Sequence, residues 1–171
     1  SDLKYLIRIT PSSVRETKKW PVEYYVELTR KLRNIAAGLF FVGGPDEAEL
    51  CQTIIESSKN SQAVNMAGQL SLLESSALIK KMDLMITNDS APLHMANAVK
   101  TDVFAFFGPT VKKYGFFPYR TGDKLFEVDL ECRPCSLHGG KSCPLVHHNC
   151  MKKINPQIVI QEIKNKLNIT G

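Results

Sequence analysis

Asp89, Ser90 and His94 stand close together in the segment Thr87-Asn-Asp-Ser-Ala-Pro-Leu-His94, which brings a carboxylate, a hydroxyl and an imidazole within reach of one ligand. The segment follows an apolar run, Asp83-Leu-Met-Ile-Thr87, and leads into a helical stretch. Its amides therefore sit at a helix N-terminus, where unpaired N–H groups and the macrodipole attract phosphate. Ser90 adds a hydroxyl donor, and His94 lies one turn up the same face, near enough for the same anion. Two other readings stay open at this point. In one, Asp89 or Ser90 only caps the helix and His94 is a satisfied core histidine. In the other the three form a hydrolase relay, against which stand the missing Gly-x-Ser-x-Gly elbow and the adjacency of acid and nucleophile.

Two further loops carry candidate chemistry. Gly43-Gly-Pro-Asp-Glu47 places flexible backbone and a carboxylate after an apolar strand, where Glu47 can accept hydrogen bonds from a ribose diol or simply favour a helix dipole. Thr10-Pro-Ser-Ser-Val-Arg-Glu-Thr-Lys-Lys-Trp20 combines hydroxyls with three cations, as a phosphate clamp would, and reads as too polar for the core. Exposed cations also commonly face only solvent. Walker A and Gly-x-Gly-x-x-Gly are both absent, which argues against a P-loop enzyme and a conventional NAD domain. Cys132, Cys135, Cys143 and Cys150 crowd one segment with His138, His147 and His148 between them. Their spacing leaves structural zinc, disulfides and reduced thiols packed under the loop all open. Cys51, on a helix, reads as core.

Short β-branched or aromatic runs alternate with helix-period stretches, the mark of parallel strands joined by crossover helices. Strands are expected at residues 3–9, 38–42, 63–67, 83–87 and 103–107, with a short one within 124–129. Helices are expected from Trp20-Pro21 until Gly38 stops the first, then over residues 47–57, from the Ser71 to Glu74 capping box to about Met82, over 93–99, and from Asn155-Pro156 to Leu167. The fold class is α/β, a Rossmann-like, doubly wound, mostly parallel sheet. In such a sheet ligands bind at the carboxyl ends of the strands. Residues 1–171 read as a single domain with a Cys/His-rich loop at 131–154 and a C-terminal helix at 155–167.

Composition limits the partners. The chain has 171 residues, 43% hydrophobic and 23% charged, which excludes a disordered tail, a collagen-like repeat and a long coiled coil. Lysine and arginine number 22 against 17 acids, and the net charge of +5 favours anionic ligands. It is modest for a nucleic-acid binder, although Lys112-Lys-Tyr-Gly-Phe-Phe-Pro-Tyr-Arg120 interleaves aromatics with cations as an RNA surface would. No apolar stretch approaches the ~20 residues that span a bilayer, and the start lacks a signal peptide's regions, so a soluble chain in a reducing cytoplasm is expected.

Taken in order, Lys18-Lys-Trp-Pro21, Gly43-Gly-Pro-Asp-Glu47, Asn88-Asp-Ser-Ala-Pro-Leu-His94, Phe107-Gly-Pro-Thr110 and the cysteine cluster ending Cys150-Met151 carry a resemblance. The chain is similar over nearly its whole length to the C-terminal half of the lipopolysaccharide heptosyltransferases, glycosyltransferase family 9. That resemblance implies a GT-B glycosyltransferase, in which an N-terminal domain holds the acceptor and the catalytic carboxylate while this half holds ADP-heptose. It implies Ser12 and Ser13 at the donor diphosphate, Lys18 neutralising it as leaving-group stabiliser, Glu47 at the ribose and Leu70 near the adenine. Asp89 would meet the sugar hydroxyls, and Ser90, Ala91 and His94 would complete the diphosphate cradle. Two departures stand out: Ala91 where many relatives have Gly, and Thr10-Pro-Ser-Ser13 where relatives often have Pro-Gly followed by a small residue.

The function expected is donor binding for heptose transfer to the lipopolysaccharide inner core; the alternative is a non-catalytic nucleotide-sugar-binding or regulatory module. No cofactor is required, and the resemblance assigns the cysteines no catalytic role. The expected partners are the nucleotide-sugar donor, an acceptor-binding domain absent from this chain and, through it, the lipopolysaccharide core. No nucleic acid and no transmembrane segment are expected. The location is the cytoplasm, with peripheral placement at the inner face of the bacterial inner membrane left open. Alone, the chain is expected to bind donor without catalysing transfer.

Overall fold

The computed structural model describes residues 3–115 and 117–169. Strands β1 (Tyr5–Thr10), β2 (Ala37–Phe41), β3 (Ala63–Asn65), β4 (Leu84–Asn88), β5 (Val103–Phe106) and β6 (Lys124–Phe126) form one sheet in the order β3-β2-β1-β4-β5-β6. Every pairing is parallel. Parallel neighbours need crossovers, and these are α1 (Val22–Lys31), α2 (Ala48–Ser58), α3 (Leu72–Lys80) and α4 (Ala91–Ala98); α5 (Asn149–Lys152) and α6 (Pro156–Lys166) follow the last strand. The strand order reverses between β1 and β4, so the loops leaving these two strands diverge and open a crevice at their carboxyl ends.

Side-chain alternation along β1 assigns its two faces. Ile7 and Ile9 join the larger core with Leu39, Phe41, Leu84 and Ile86 from neighbouring strands, and Leu28, Ile54 and Ile163 cover them from α1, α2 and α6. On the other face Met85, Val103 and Ala105 pack under Ile79 of α3 and Leu93 and Ala96 of α4. Arg8 and Thr10 point to this second face, yet both are buried. Trp20 is buried within the larger core, stacked on Phe106 at 4.2 Å and donating its Nε1–H to the Ile154 carbonyl at 3.0 Å.

Several expected boundaries move. The first helix ends at Lys31 and passes through a tight turn, Leu32–Asn34, so Gly38 does not stop it but lies inside β2, paired with Leu6. Helix α4 starts at Ala91, two residues before the expected Leu93, because Pro92 suits a first turn. The Ser71 capping box forms as read, with Ser71 Oγ accepting from the Glu74 amide (3.3 Å) and Glu74 Oε2 from the Ser71 amide (2.8 Å). Asn155 caps α6 by accepting from the Gln157 amide at 2.8 Å. The first loop is less polar in setting than its composition suggests, since Thr10, Ser12 and Thr17 are all buried. No helix among the described residues is long and apolar enough to cross a membrane.

Candidate functional site

Asn88, the last residue of β4, organises the crevice. It is completely buried, and its side chain makes four hydrogen bonds. Nδ2 donates to the carbonyls of Pro11 (2.9 Å) and Ser12 (3.2 Å), while Oδ1 accepts from the Trp20 amide (3.0 Å) and the Tyr25 hydroxyl (3.1 Å). One amide thus clamps both ends of the first loop against the end of β4. Burial also raises the Tyr25 hydroxyl well above its ordinary pKa, which keeps it a donor.

Within that clamp Lys18 Nζ lies 2.6 Å from Asp89 Oδ2, with the two side chains only 14% and 7% exposed. Thr110, after β5, donates its hydroxyl to the same oxygen at 2.7 Å. Arg133 fixes the loop that brings Thr110 there. It donates to the carbonyls of Gly108 (2.5 Å) and Thr110 (2.9 Å) and pairs with Glu127 (2.9 Å). Ser90 precedes α4 without capping it, because its hydroxyl engages Thr87 Oγ1 (3.2 Å) and the Asn88 carbonyl (3.3 Å). His94 is exposed on α4, so neither the cap nor the core-histidine reading of this segment is realised.

Two cavities meet at Ser90 and Ala91. The first, about 340 Å³, is bounded by Lys18, Asp89, His94, Thr110 and Tyr114, together with Leu137 and His138 from the Cys/His-rich segment. The second, about 380 Å³, is bounded by Arg8, Thr10, Ser12 and Ser13 from β1 and its loop, Gly43, Gly44 and Glu47 after β2, and Leu70 and Ser75 at α3. All nine candidate binding residues, Ser12, Ser13, Lys18, Glu47, Leu70, Asp89, Ser90, Ala91 and His94, line one cavity or both. Glu47 Oε2 accepts from the Gly44 amide at 2.7 Å, so this carboxylate braces its own turn while facing the cavity. Residue-type reasoning missed Arg8, Thr10, Asn88, Thr110, Leu137 and His138. Of these, all but Arg8 lay inside segments already singled out, without a role of their own there.

The cysteine cluster does another job. Its loop docks on the Lys18 turn: the Thr17 hydroxyl accepts from the Gly140 amide (2.7 Å), the Thr17 amide donates to the Gly140 carbonyl (3.2 Å), and His148 Nε2 bonds the Thr17 carbonyl (2.8 Å). All five cysteines are free thiols. Among the described residues no three His, Cys, Asp or Glu side chains gather as metal ligands, so Cys132, Cys135, Cys143 and Cys150 do not fit the zinc reading. Disulfides are likewise not formed. Cys51 is core, and burial, helped by the Glu47 charge, pushes its thiol up to about 12; burial pushes Cys150 up to about 11. In the basic aromatic stretch Arg120 is tied to Asp102 at 2.8 Å, while Lys112 lies over the Phe117 ring and stays exposed; Phe116 falls outside the described residues.

Comparison with known proteins places this crevice in context. Residues 2–145 match glycosyltransferase family 9 (heptosyltransferase). Lipooligosaccharide heptosyltransferase 2 of Campylobacter jejuni subsp. jejuni serotype O:6 is 34% identical over 165 residues, 94% of this chain and 51% of that protein. The Haemophilus influenzae protein of the same name is 29% identical over 157 residues, 88% of this chain and 43% of its own. The solved structure of the E. coli ADP-heptose lps heptosyltransferase II shares the fold, with a TM-score of 0.80 at 22% identity over 98% of this chain and 47% of that one. The chain spans about half the length of the curated relatives it matches.

Proposed function

Because the chain belongs to glycosyltransferase family 9, the heptosyltransferases, we propose that its crevice binds the nucleotide-sugar donor, ADP-heptose or a close analogue, for transfer of heptose to the lipopolysaccharide inner core. The observation that carries this reading is the Lys18–Asp89 pair, 2.6 Å apart beside the uncapped start of α4, where the two cavities join. A nucleoside diphosphate sugar has the matching plan, with a nucleoside at one end, a sugar at the other and the charge between.

In this reading the nucleoside occupies the cavity of Glu47 and Leu70, with the Glu47 carboxylate on the ribose diol. The diphosphate crosses Ser90 and Ala91 within reach of the Ser12 and Ser13 hydroxyls, and the sugar enters the cavity of Asp89 and His94. Departure of the nucleotide leaves negative charge on the diphosphate, and donors already aimed at that charge lower the barrier without a metal ion. The first amides of α4 are such donors, and Lys18 and the Ser90 hydroxyl join them by leaving Asp89 and the Asn88 carbonyl. Lys18 must then exchange its Asp89 partner for a phosphate oxygen, which frees Asp89 for the sugar hydroxyls. The acceptor hydroxyl also needs a general base. We assign that base, with the acceptor, to the part of the protein that the relatives carry in addition; these 171 residues act as one donor-binding unit that does not transfer alone.

Calorimetric titration of the chain with ADP, UDP and GDP tests the reading. Saturable binding with ADP preferred is expected, and no heptose transfer by the chain alone. Indifference to all three nucleotides would overturn donor binding, and measurable transfer would overturn the division of labour.

A further inference from the structure

Arg8 is the one long cationic side chain of β1, and it is only 2% exposed. It lies on the face opposite the larger core and reaches the wall of the second cavity, together with Thr10, Ser12, Ser90 and Ala91. Nη1 donates to the Ser75 carbonyl (3.1 Å) and hydroxyl (2.8 Å), and Nε makes a long contact of 3.5 Å with Thr10 Oγ1. None of these bonds uses Nη2. None of the ion pairs among the described residues involves Arg8. Burial alone lowers its guanidinium to about 10, so it remains protonated at neutral pH. A buried guanidinium held by neutral groups is costly, and proteins keep such a charge where a ligand supplies the counterion.

A second observation points into the same cavity. Helix α4 begins there with no side chain capping it, since Ser90 turns its hydroxyl back to Thr87 and Asn88. An uncapped helix start and an unpaired buried cation thus face one space, while Lys18 lies in the adjoining cavity with a carboxylate already bound. Among the described residues, the only carboxylate lining the second cavity, Glu47, braces Gly44.

We propose that Arg8 is a second phosphate-binding cation of the crevice, taking an oxygen of a nucleoside diphosphate from the nucleoside side of α4 while Lys18 serves the sugar side. The proposal rests on the donor-binding reading and deepens it. A planar guanidinium fork suits phosphate oxygens better than an ammonium, and here Ser75 already fixes its plane. Lys18 must break an ion pair to bind, whereas Arg8 has none to break. Arg8 therefore supplies the diphosphate contact that is ready before the donor arrives.

The test is calorimetry with ADP, adenosine and inorganic pyrophosphate on the wild type, Arg8→Gln and Arg8→Lys, with thermal melts to verify folding. Gln keeps a donor for Ser75 but removes the charge; Lys keeps the charge but loses the fork. Arg8→Gln is expected to lose at least about tenfold in ADP affinity and to flatten its salt dependence, with adenosine affinity unchanged and Arg8→Lys intermediate. Equal ADP affinity in wild type and Arg8→Gln would overturn the proposal and leave donor binding standing. So would equal losses for ADP and adenosine, which would make Arg8 a nucleoside contact or a structural brace. If the wild type binds no ADP, the donor reading falls, and pyrophosphate decides Arg8: binding lost in Arg8→Gln sustains the cation site, and binding absent or unchanged refutes it.

Discussion

Lys18 and Asp89 satisfy each other in the free protein, and that mutual satisfaction resists ligand binding. Each ligand phosphate competes with a carboxylate 2.6 Å from the ammonium, and Asp89 repels the incoming anion as well. Replacing Asp89 with Asn keeps the size and still accepts from Thr110. It releases Lys18 and removes one negative charge beside the phosphate path. With solvent reaching the crevice, a unit charge about 4 Å away is worth about 1 kcal/mol at a water-like dielectric, so Asp89→Asn should bind ADP roughly fivefold more tightly. A donor that carries a sugar should gain less or lose, because the residue assigned to its hydroxyls is now a weaker acceptor. Calorimetry with ADP and ADP-heptose on the same variant measures the difference, and a parallel change for both ligands would remove Asp89 from the sugar. Asn88 shows how little of such a role is visible locally. Its residue type suggested a loop, yet its four bonds knit β4, α1 and both ends of the Lys18 loop together, and only the folded chain brings those partners to it.

At the scale of elements, two of the helices carry buried thiols whose ionisation opposes folding. Cys51 of α2 is fully buried, and its pKa is raised from 9.0 to about 12; Cys150 of α5 rises to about 11. A thiol with a raised native pKa favours the folded state in its neutral form. That contribution is complete below pH ~9, where the unfolded thiol is also protonated, and it is lost as pH climbs towards the native value. Each such thiol contributes up to about 1.4 kcal/mol of lost stability per pH unit. Cys51→Ala should therefore be less stable near neutrality because of the cavity it leaves, but lose less between about pH 9 and about pH 11. Urea midpoints at both ends of that range give the two slopes, and equal slopes would mean Cys51 ionises freely in the native protein. The strands and the long helices were legible because buried apolar runs and capping residues are local signals. Helix α5 was not, since four residues cannot display a helical period. Gly38 misled because glycine punctuates sequences generally, while here it lies in a buried strand where Leu3 and Phe40 crowd the place of a side chain. Arg8 in Tyr-Leu-Ile-Arg-Ile-Thr has the pattern of a solvent-facing strand position, and nothing in that hexapeptide announces α3 and α4 closing over it.

Across the whole molecule, the segment least like the sheet holds the turn that carries Lys18. The Cys/His-rich loop closes over the Lys18 turn more than 100 residues away in sequence, through the bonds of Gly140 and His148 to Thr17. Leu137 and His138 complete the wall of the sugar-side cavity. Metal or disulfide cross-links are not what seat it; hydrogen bonds and contacts with Lys18 are. Gly139 sits at that contact with φ +78°, and a Cβ there would come within 3.0 Å of Lys18 Cγ, 3.2 Å of its Cε and 3.2 Å of Thr17 Oγ1. Gly115 has a similar φ of +82° with nothing within 4 Å of the same position. Alanine at either site pays the left-handed backbone penalty of about 1 kcal/mol, but only at Gly139 does the methyl displace the lysine. Gly139→Ala should therefore weaken ADP binding by about fivefold or more beyond Gly115→Ala, while thermal melts of the two variants fall by comparable amounts. Equal ADP affinities would mean that Lys18 finds its phosphate without the loop, and the C-terminal segment would then be a cover for the core and no part of the binding site.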